Sequence, residues 1–247
     1  MIEKKIVSLS NPKSSAAEAY RMIRTNLEYT DIDKKNKVIA ITSALPSEGK
    51  TTTLANIAVN LANVGEKVLI IDCDLRKPKM HSMFQLSNEV GVTNLLMKNK
   101  IQADVIQTVG EVIGLDIITS GHTPAMPAEL LGSYSMKMLV EDLKHKYDRI
   151  LIDTPPVLQV ADAGIVARYA DGIVLVAAIA ECGIEDIKTA KKSLEKVGAN
   201  ILGCVLSKAE MGKKGYYYYR YGYYYGDDHK KTGKRGRSKS SKKTIEQ

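Results

Sequence analysis

The chain alternates short apolar segments with amphipathic ones over residues 1–207. Several of the apolar segments are nearly continuous in Val, Ile and Leu, as expected of parallel strands that are covered on both faces. The segments that we predict as strands are Val38–Thr42, Val68–Asp72, Leu115–Thr119, Ile150–Asp153, Ile173–Ala178 and Ile201–Leu206.

The segments between these strands carry the apolar period of helices. One helix face repeats apolar residues at i, i+3, i+4 and i+7, namely Leu54, Ile57, Ala58 and Leu61. Further helices are predicted near 133–146, 160–169 and 184–197. Strands that alternate with helices in this way predict an α/β fold with a doubly wound, mostly parallel sheet.

Another helix is predicted before the first strand. Ser15-Ala-Ala-Glu18 fits a capping box and would open a helix that continues to about Tyr29. Glu18, Arg21 and Arg24 are three residues apart and therefore lie on one side of that helix. Taken alone, this spacing indicates a solvated face with an i, i+3 ion pair.

The chain ends in a segment of different composition. The sequence GYYYYRYGYYYG, at 215–226, follows neither the strand period nor the helix period, and each buried phenol would need a hydrogen-bond partner. Because residues 208–247 are rich in Gly, Tyr, Lys and Ser, we predict a domain at 1–207 and a disordered tail at 208–247. The tail contains twelve Lys or Arg and four Asp or Glu, so the net charge of +8 is located there.

Composition excludes some classes of protein. A chain of 247 residues with 44% hydrophobic residues is able to form a real core. The N-terminus has no apolar segment typical of a secretory signal, and no apolar run approaches the ~20 residues that span a bilayer. Cys73, Cys182 and Cys204 are far apart, which predicts small buried hydrophobes in a reducing compartment. We therefore expect a cytoplasmic protein.

A phosphate-binding motif follows the first predicted strand. Ala44-Leu-Pro-Ser-Glu-Gly-Lys-Thr51 matches the P-loop pattern G-x-x-x-x-G-K-[ST], with Ala44 in place of the first glycine. A loop between a strand and a helix turns backbone N–H groups toward phosphate, and the helix N-terminus adds its dipole. The residues that we expect to bind nucleotide are Pro46, Ser47, Glu48, Gly49, Lys50, Thr51 and Thr52.

Acidic residues end two other predicted strands, at the carboxyl edge where ligands bind in such sheets. Asp72 and Asp74 lie at the end of one strand, and Asp153 ends another. Acids at strand ends can simply cap the next element. Three carboxylates that converge on a lysine and a triphosphate are better explained as Mg²⁺ ligands and a base, so we expect ATP and Mg²⁺.

Together these segments resemble the Walker A, Walker A′ and Walker B motifs of bacterial tyrosine kinases, which have a P-loop NTPase fold like that of ParA and MinD. The likeness extends over essentially the whole chain and departs at Ser47, where the family usually has glycine, and in the long basic end after Gly226. The supporting segments are Asp72-Cys-Asp-Leu-Arg-Lys-Pro78 with His81 and Phe84, Ser120-Gly121, Pro127-Ala-Glu-Leu-Leu131, Asp153-Thr-Pro-Pro-Val-Leu158 and Asp162-Ala163.

The resemblance implies an ATP-dependent protein-tyrosine kinase that phosphorylates its own tail in trans, between subunits. Glu18, Arg21 and Arg24 match the family's oligomerisation motif EX2RX2R, which implies a ring-like homo-oligomer and assigns the region 1–32 to its assembly. The tyrosines that would be the substrates, in the cluster 216–225, are Tyr216, Tyr217, Tyr218, Tyr219, Tyr221, Tyr223, Tyr224 and Tyr225.

The resemblance also implies partners. A separate transmembrane adaptor would activate the kinase and recruit it to the inner face of the cell membrane. Other tyrosine-bearing proteins would be further substrates, and a cognate phosphatase would reverse the modification. The usual setting is the synthesis and export of capsular or extracellular polysaccharide.

Roles within the site follow from the chemistry of phosphoryl transfer, which is mostly positioning and stabilisation of charge. Lys50 would contact the β- and γ-phosphates, and Thr51 would ligate Mg²⁺ directly. Asp74 and Asp153 would hold Mg²⁺ through waters, and Asp72 would orient or deprotonate the tyrosine hydroxyl. The assignment of these two roles between Asp72 and Asp74 stays open.

Two other functions are compatible with parts of the sequence. A ParA/MinD-type ATPase shares this fold and uses ATP to switch dimers, but those proteins carry a signature lysine at the position of Leu45 and have no tyrosine tail. A nucleic-acid-binding module would use the basic and aromatic residues of the tail. It does not account for the three Walker-like motifs, so no specific nucleic acid is expected as a partner.

Overall fold

The computed structural model describes residues 4–30, 35–97, 102–179 and 181–209. The described residues form a seven-stranded sheet with the strand order β3-β4-β2-β5-β1-β6-β7. The strands are β1 Val38–Ser43, β2 Val68–Asp72, β3 Ile106–Thr108, β4 Leu115–Ile118, β5 Arg149–Asp153, β6 Gly172–Ala178 and β7 Ile201–Ser207. All neighbours pair in parallel except β3, which is antiparallel to β4.

Helices connect the parallel strands. Those of the described residues are α1 Val7–Ser10, α2 Ser15–Thr30, α3 Lys50–Ala62, α4 Met80–Phe84, α5 Val92–Leu96, α6 Gln102–Val105, α7 Pro127–Leu131, α8 Tyr134–Lys144, α9 Asp162–Val166 and α10 Ile184–Lys196. Within the described ranges, no helix combines the length and the apolar character that are needed to cross a membrane.

The sheet separates two apolar cores. Alternate residues of a strand point to opposite faces, and β1 shows this division: Ile39 and Ile41 pack in the core that contains the apolar face of α3, whereas Val38 and Ala40 pack in the core that contains the apolar face of α8. The strands β1, β2 and β5 are buried along their whole length. Their carboxyl ends are therefore held in fixed positions relative to one another.

The predicted fold class is confirmed, and all six predicted strands are present with ends that differ by at most one residue. The N-cap of α2 lies one residue earlier in the chain than the sequence predicts. Ser14 Oγ, not Ser15, accepts the hydrogen bond from the Ala17 N–H at 3.1 Å, and Glu18 pairs with Arg21 and not with the cap residue.

The expectation that the cysteines are buried is correct for one of the three. Cys73 is buried, Cys182 is half-buried and Cys204 is exposed on β7, and all three are free thiols. β7 is an edge strand with a half-exposed surface, so an apolar run at that place in the chain does not guarantee burial. The division of the chain at 207/208 stays a prediction.

Candidate active site

The predicted phosphate-binding loop lies between β1 and the N-terminus of α3. Ser47 and Gly49 both adopt left-handed backbone conformations, with φ of 64° and 88°. Gly49 precedes the first residue of α3, Lys50, and the helix continues for 13 residues. Unpaired N–H groups and the positive end of the helix dipole are therefore concentrated at this loop, as anion binding requires.

Glu48 holds the loop against the rest of the sheet. Its buried carboxylate accepts the Leu45 N–H at 2.6 Å and the Ala178 N–H at 3.3 Å. Ser207, the last residue of β7, donates its hydroxyl to the backbone carbonyl of Glu48. Pro46 and Ser47 are exposed at the tip of the loop. The loop is thus anchored on the carboxyl ends of β6 and β7, while its tip faces solvent.

Lys50 and Thr51 meet the acidic residues that end β2 and β5. Lys50 Nζ lies 2.9 Å from Asp74 Oδ2 and 3.4 Å from Asp153 Oδ1. Thr51 Oγ1 donates to Asp153 Oδ2 at 2.7 Å. The half-buried Thr52 follows on α3. Residues from three separate parts of the sequence are therefore brought together at one edge of the sheet.

Asp72 lies behind this group. It has no exposed surface, and its two carboxylate oxygens accept the backbone N–H groups of Asp74 and Met80 at 3.2 and 3.1 Å. Burial, followed by the charge of Asp153, raises the pKa of Asp72 to about 8. A carboxyl whose pKa is near neutrality suits proton transfer at physiological pH.

The charges of the cluster affect one another. Burial lowers the pKa of Lys50, but the charges of Asp153 and Asp74 more than offset burial, so the pKa of this amine is raised. Burial raises the pKa of Asp153, and Lys50 opposes that shift. Lys50 is therefore a cation that partly compensates a group of buried carboxylates.

The oxygen atoms of the site suit Mg²⁺ as ligands, and its lysine and helix N-terminus suit a nucleoside triphosphate. Mg²⁺ in proteins is bound by one or two carboxylates, with waters and substrate phosphates as the other ligands. Asp153, Asp74 and the Thr51 hydroxyl supply this type of oxygen, beside a lysine and a helix N-terminus that suit phosphate.

Arg76 and Asp162 form an ion pair beside this cluster, and the sequence alone did not lead us to assign them a role. Arg76 Nε and Nη2 donate to Asp162 Oδ2 and Oδ1 at 2.9 and 3.0 Å. Both residues belong to segments that carry the family resemblance, and that membership was the signal that could have drawn attention to them. Their pairing across 86 positions leaves no pattern in the sequence.

The predicted oligomerisation residues lie on α2. Glu18 pairs with Arg21 at 2.6 Å, and Arg24 pairs with Glu28 at 3.4 Å. Arg24 Nε is buried without a hydrogen-bond partner among the described residues. The local ion pair expected of a solvated face is present, and the assembly role stays a prediction. The tyrosine cluster 216–225 lies outside the described residues.

A phosphate-binding loop at the carboxyl edge of a mostly parallel sheet, with carboxylates at the ends of β2 and β5, defines a P-loop nucleotide-binding protein. A family model described as an AAA domain matches residues 36–202. The structure of the septum site-determining protein MinD from Pyrococcus horikoshii, complexed with Mg-ADP, is 26% identical and covers 72% of each chain with a TM-score of 0.61.

More similar proteins are tyrosine kinases by name. The tyrosine-protein kinase YwqD of Bacillus subtilis is 42% identical over 223 residues, which are 90% of this chain and 92% of that protein. The putative tyrosine-protein kinase CapB of Staphylococcus aureus is 39% identical over 88% of this chain and 93% of its own length. The kinase domain of the Escherichia coli tyrosine kinase ETK is 36% identical, with a TM-score of 0.79 over 84% of this chain and 82% of that one.

The chain belongs to the family of bacterial tyrosine-protein kinases. Its activity class is that of a protein-tyrosine kinase, as the resemblance of its motifs predicted. The MinD-type ATPase shares the fold at lower similarity.

Proposed function

We propose that this kinase uses Mg²⁺-ATP to phosphorylate the tyrosines of its own C-terminal cluster, in trans between the subunits of a homo-oligomer. The observation that carries the proposal is the convergence of Lys50, Thr51, Asp74 and Asp153 at the phosphate-binding loop. In phosphoryl transfer the protein acts chiefly by positioning the reactants and by stabilising charge, and this cluster offers both.

Each residue of the cluster has a distinct task in the proposal. The backbone N–H groups at the start of α3 and the Lys50 ammonium bind the β- and γ-phosphates. Thr51, Asp74 and Asp153 hold Mg²⁺, which neutralises charge that develops on the phosphates. Glu48 keeps the loop in its binding conformation through its bonds to Leu45 and Ala178.

Asp72 is our candidate for the base. The tyrosine oxygen forms the new bond to the γ-phosphorus, ADP leaves, and the phenolic proton passes to the carboxylate. A pKa of about 8, raised first by burial and then by the charge of Asp153, supports this role, because the ionised fraction of a carboxyl whose pKa is close to the working pH is an effective proton acceptor. Asp74 is the alternative, since its side chain is slightly exposed and Asp72 is not.

Transfer between subunits is supported by distance and by the position of Ser207. About nine residues separate Ser207 from Tyr216, a reach of at most roughly 30 Å. Ser207, close to the end of the described residues, lies beside its own phosphate-binding loop. On α2, the buried Arg24 Nε without a partner in the described part of the chain is a donor that a neighbouring subunit can satisfy.

The wider setting that we propose follows the family resemblance. A transmembrane adaptor activates the kinase and recruits it from the cytoplasm to the inner face of the membrane, and a cognate phosphatase resets it. The process under control is the synthesis and export of capsular or extracellular polysaccharide.

The experiment that tests the activity is incubation of the full chain with Mg²⁺-ATP, with and without an adaptor-tail peptide, followed by intact mass measurement. We expect successive additions of about 80 Da, one for each phosphoryl group, up to eight. Lys50→Met should abolish them because it removes the charge at the phosphates. Tyr29→Phe, an exposed tyrosine on α2, is the matched control and should leave them unchanged. Near-normal phosphorylation of Lys50→Met would overturn the site assignment.

A further inference from the structure

The pair Arg76–Asp162 links the loop that follows β2, which carries Asp74, to the segment that follows β5, the strand that ends in Asp153. Its two parallel hydrogen bonds, at 2.9 and 3.0 Å, have the bidentate geometry that makes arginine–carboxylate pairs strong and directional. The Asp162 side chain has no exposed surface, whereas the Arg76 side chain is 39% exposed. A buried carboxylate held in this way fixes the arginine in place, and the arginine fixes its loop.

On one side the pair holds the loop that follows β2. Arg76 is two residues after Asp74, whose second carboxylate oxygen, Oδ1, accepts the Lys77 N–H at 3.1 Å. The backbone on both sides of Arg76 is therefore connected to the Asp74 carboxylate. A shift of the arginine would move that carboxylate relative to Lys50.

On the other side the pair holds the segment that follows β5. Asp162 is the first residue of α9, and the segment from Thr154 leads to it. Thr154 Oγ1 donates to the Ile41 carbonyl at 2.9 Å, and Val157 N–H donates to the Ser43 carbonyl at 2.8 Å. This segment is thus fixed to β1, which leads into the phosphate-binding loop.

We propose that Arg76 and Asp162 are positioning residues that set the separation of the Asp74 and Asp153 carboxylates and so tune the affinity of the site for Mg²⁺. The inference rests on the proposed Mg²⁺ site at Thr51, Asp74 and Asp153. Partners that orient metal ligands without touching the metal typically change metal affinity by about 10–100-fold when they are removed.

Equilibrium binding of an ADP that carries a fluorescent ribose label, to the full chain with Mg²⁺ and with EDTA, tests this. Arg76→Ala and Asp162→Ala should each reduce the Mg²⁺-dependent gain in ADP affinity by about 10-fold. Affinity in EDTA should change less than about twofold. Asp162→Ala is the variant best suited to fold, because the released Arg76 is partly exposed and hydrates.

The direction in which each variant changes Mg²⁺ binding distinguishes a positioning role from a purely electrostatic one. If only charge mattered, removal of the Arg76 cation would strengthen Mg²⁺ binding and removal of the Asp162 anion would weaken it. A positioning pair predicts weaker Mg²⁺ binding in both, and a double variant no worse than either single one, because both lose the same interaction. Arg76→Lys should restore part of the gain, since lysine keeps the charge without the fork.

Arg149→Ala is the matched control. Arg149 is a buried arginine at the opposite end of β5, where its Nη1 donates to the Asn36 carbonyl at 2.6 Å. Its loss should lower the melting temperature without changing the Mg²⁺-dependent gain. Three results would overturn the inference. The two single variants could change Mg²⁺ binding in opposite directions, the losses in the double variant could be additive, or the Mg²⁺-dependent gain in ADP affinity could stay unchanged. A loss of ADP affinity in EDTA would also overturn it, because it would mean that Arg76 contacts phosphate.

A different result of the same experiment would contradict the proposed function. If wild-type protein shows no Mg²⁺-dependent gain at all, the Mg²⁺ site itself is wrong. If wild-type protein shows the Mg²⁺-dependent gain in ADP affinity and both variants retain it, the Mg²⁺ site is supported and the positioning role of Arg76 and Asp162 is wrong.

Discussion

Ser47 illustrates how one residue of the loop determines its conformation. Ser47 adopts a φ of 64°, in the left-handed region that glycine reaches without steric cost. Its side chain is exposed at the tip of the loop. A serine in this conformation therefore carries backbone strain.

The strain at Ser47 gives the first prediction. Ser47→Gly should raise the free energy of unfolding by about 0.5–1 kcal/mol, because relief of a left-handed non-glycine residue outweighs the extra entropy of glycine in the unfolded chain. The melting temperature should rise by about 2 °C. Ser47→Ala removes the hydroxyl but keeps the strain and should stay within about 0.5 kcal/mol of wild type. A Ser47→Gly protein less stable than Ser47→Ala would contradict this explanation.

At the scale of elements, the strands that the sequence predicts well are those whose burial is continuous. β1, β2 and β5 are covered on both faces, so their residues form unbroken apolar runs. β3 was missed because it has three residues, all partly exposed, and exists by antiparallel pairing with β4. Its pairing partner is a tertiary feature that no local period records.

The site likewise has a part that could be predicted from the sequence and a part that could not. The motif residues could be predicted because each lies at the end of a buried strand or in the segment that follows one, and parallel strands end at one edge. The contacts that hold the motifs could not be predicted. Ser207 reaches the Glu48 carbonyl across 159 positions and Arg76 reaches Asp162 across 86, and both pairings are set by strand order.

The cap of α2 gives a prediction that separates the sequence pattern from the structure. Ser14→Ala should lower the free energy of unfolding by about 1 kcal/mol, because its hydroxyl satisfies the otherwise free N–H of Ala17. Ser15→Ala should change it by less than about 0.5 kcal/mol, since Ser15 lies in the first turn. Urea unfolding of the two variants measures both values. A larger loss for Ser15→Ala would restore the capping box that begins at Ser15.

The charged face of α2 gives a prediction about assembly. Changing Glu18, Arg21 and Arg24 together to Ala should reduce the oligomer mass measured by light scattering. The fold should tolerate the loss of Glu18 and Arg21, because their exposed ion pair contributes about 0–1 kcal/mol and alanine favours helix. At Arg24, whose side chain is 19% exposed, the change also removes a buried Nε that has no hydrogen-bond partner among the described residues. Ala replacement of Glu185 and Lys188, an exposed pair on α10, is the control. If the triple variant assembles like wild type, the α2 face is a solvated surface and nothing more.

At the scale of the whole molecule, charge is separated along the chain. Residues 1–207 carry 24 basic and 24 acidic side chains, and residues 208–247 carry the net +8. Each phosphotyrosine adds about −1.5 to −2 charges near neutral pH. Four or five phosphates therefore cancel the positive charge of the tail, and eight reverse its sign.

If the proposed homo-oligomer forms, this reversal of charge predicts that its subunits separate gradually as phosphates accumulate. Unmodified tails should be attracted to the acidic site of a neighbour, and modified tails should be repelled from it, with salt weakening both effects. Sedimentation of samples stopped at increasing phosphate number should show dissociation that begins near four or five phosphates per chain. An assembly that stays intact with seven or eight would eliminate electrostatic release.

The proposed function depends most on transfer between subunits through the Lys50 site, and a mixing experiment measures this transfer directly. One protein carries Lys50→Met with an intact tail, and the other is active but has all eight tail tyrosines changed to Phe. Neither should gain phosphate when incubated alone with Mg²⁺-ATP. After mixing, intact mass should show additions of about 80 Da on the Lys50→Met chain. If that chain gains no phosphate while wild-type protein modifies itself under the same conditions, transfer does not occur between subunits and the proposed function is wrong on this point.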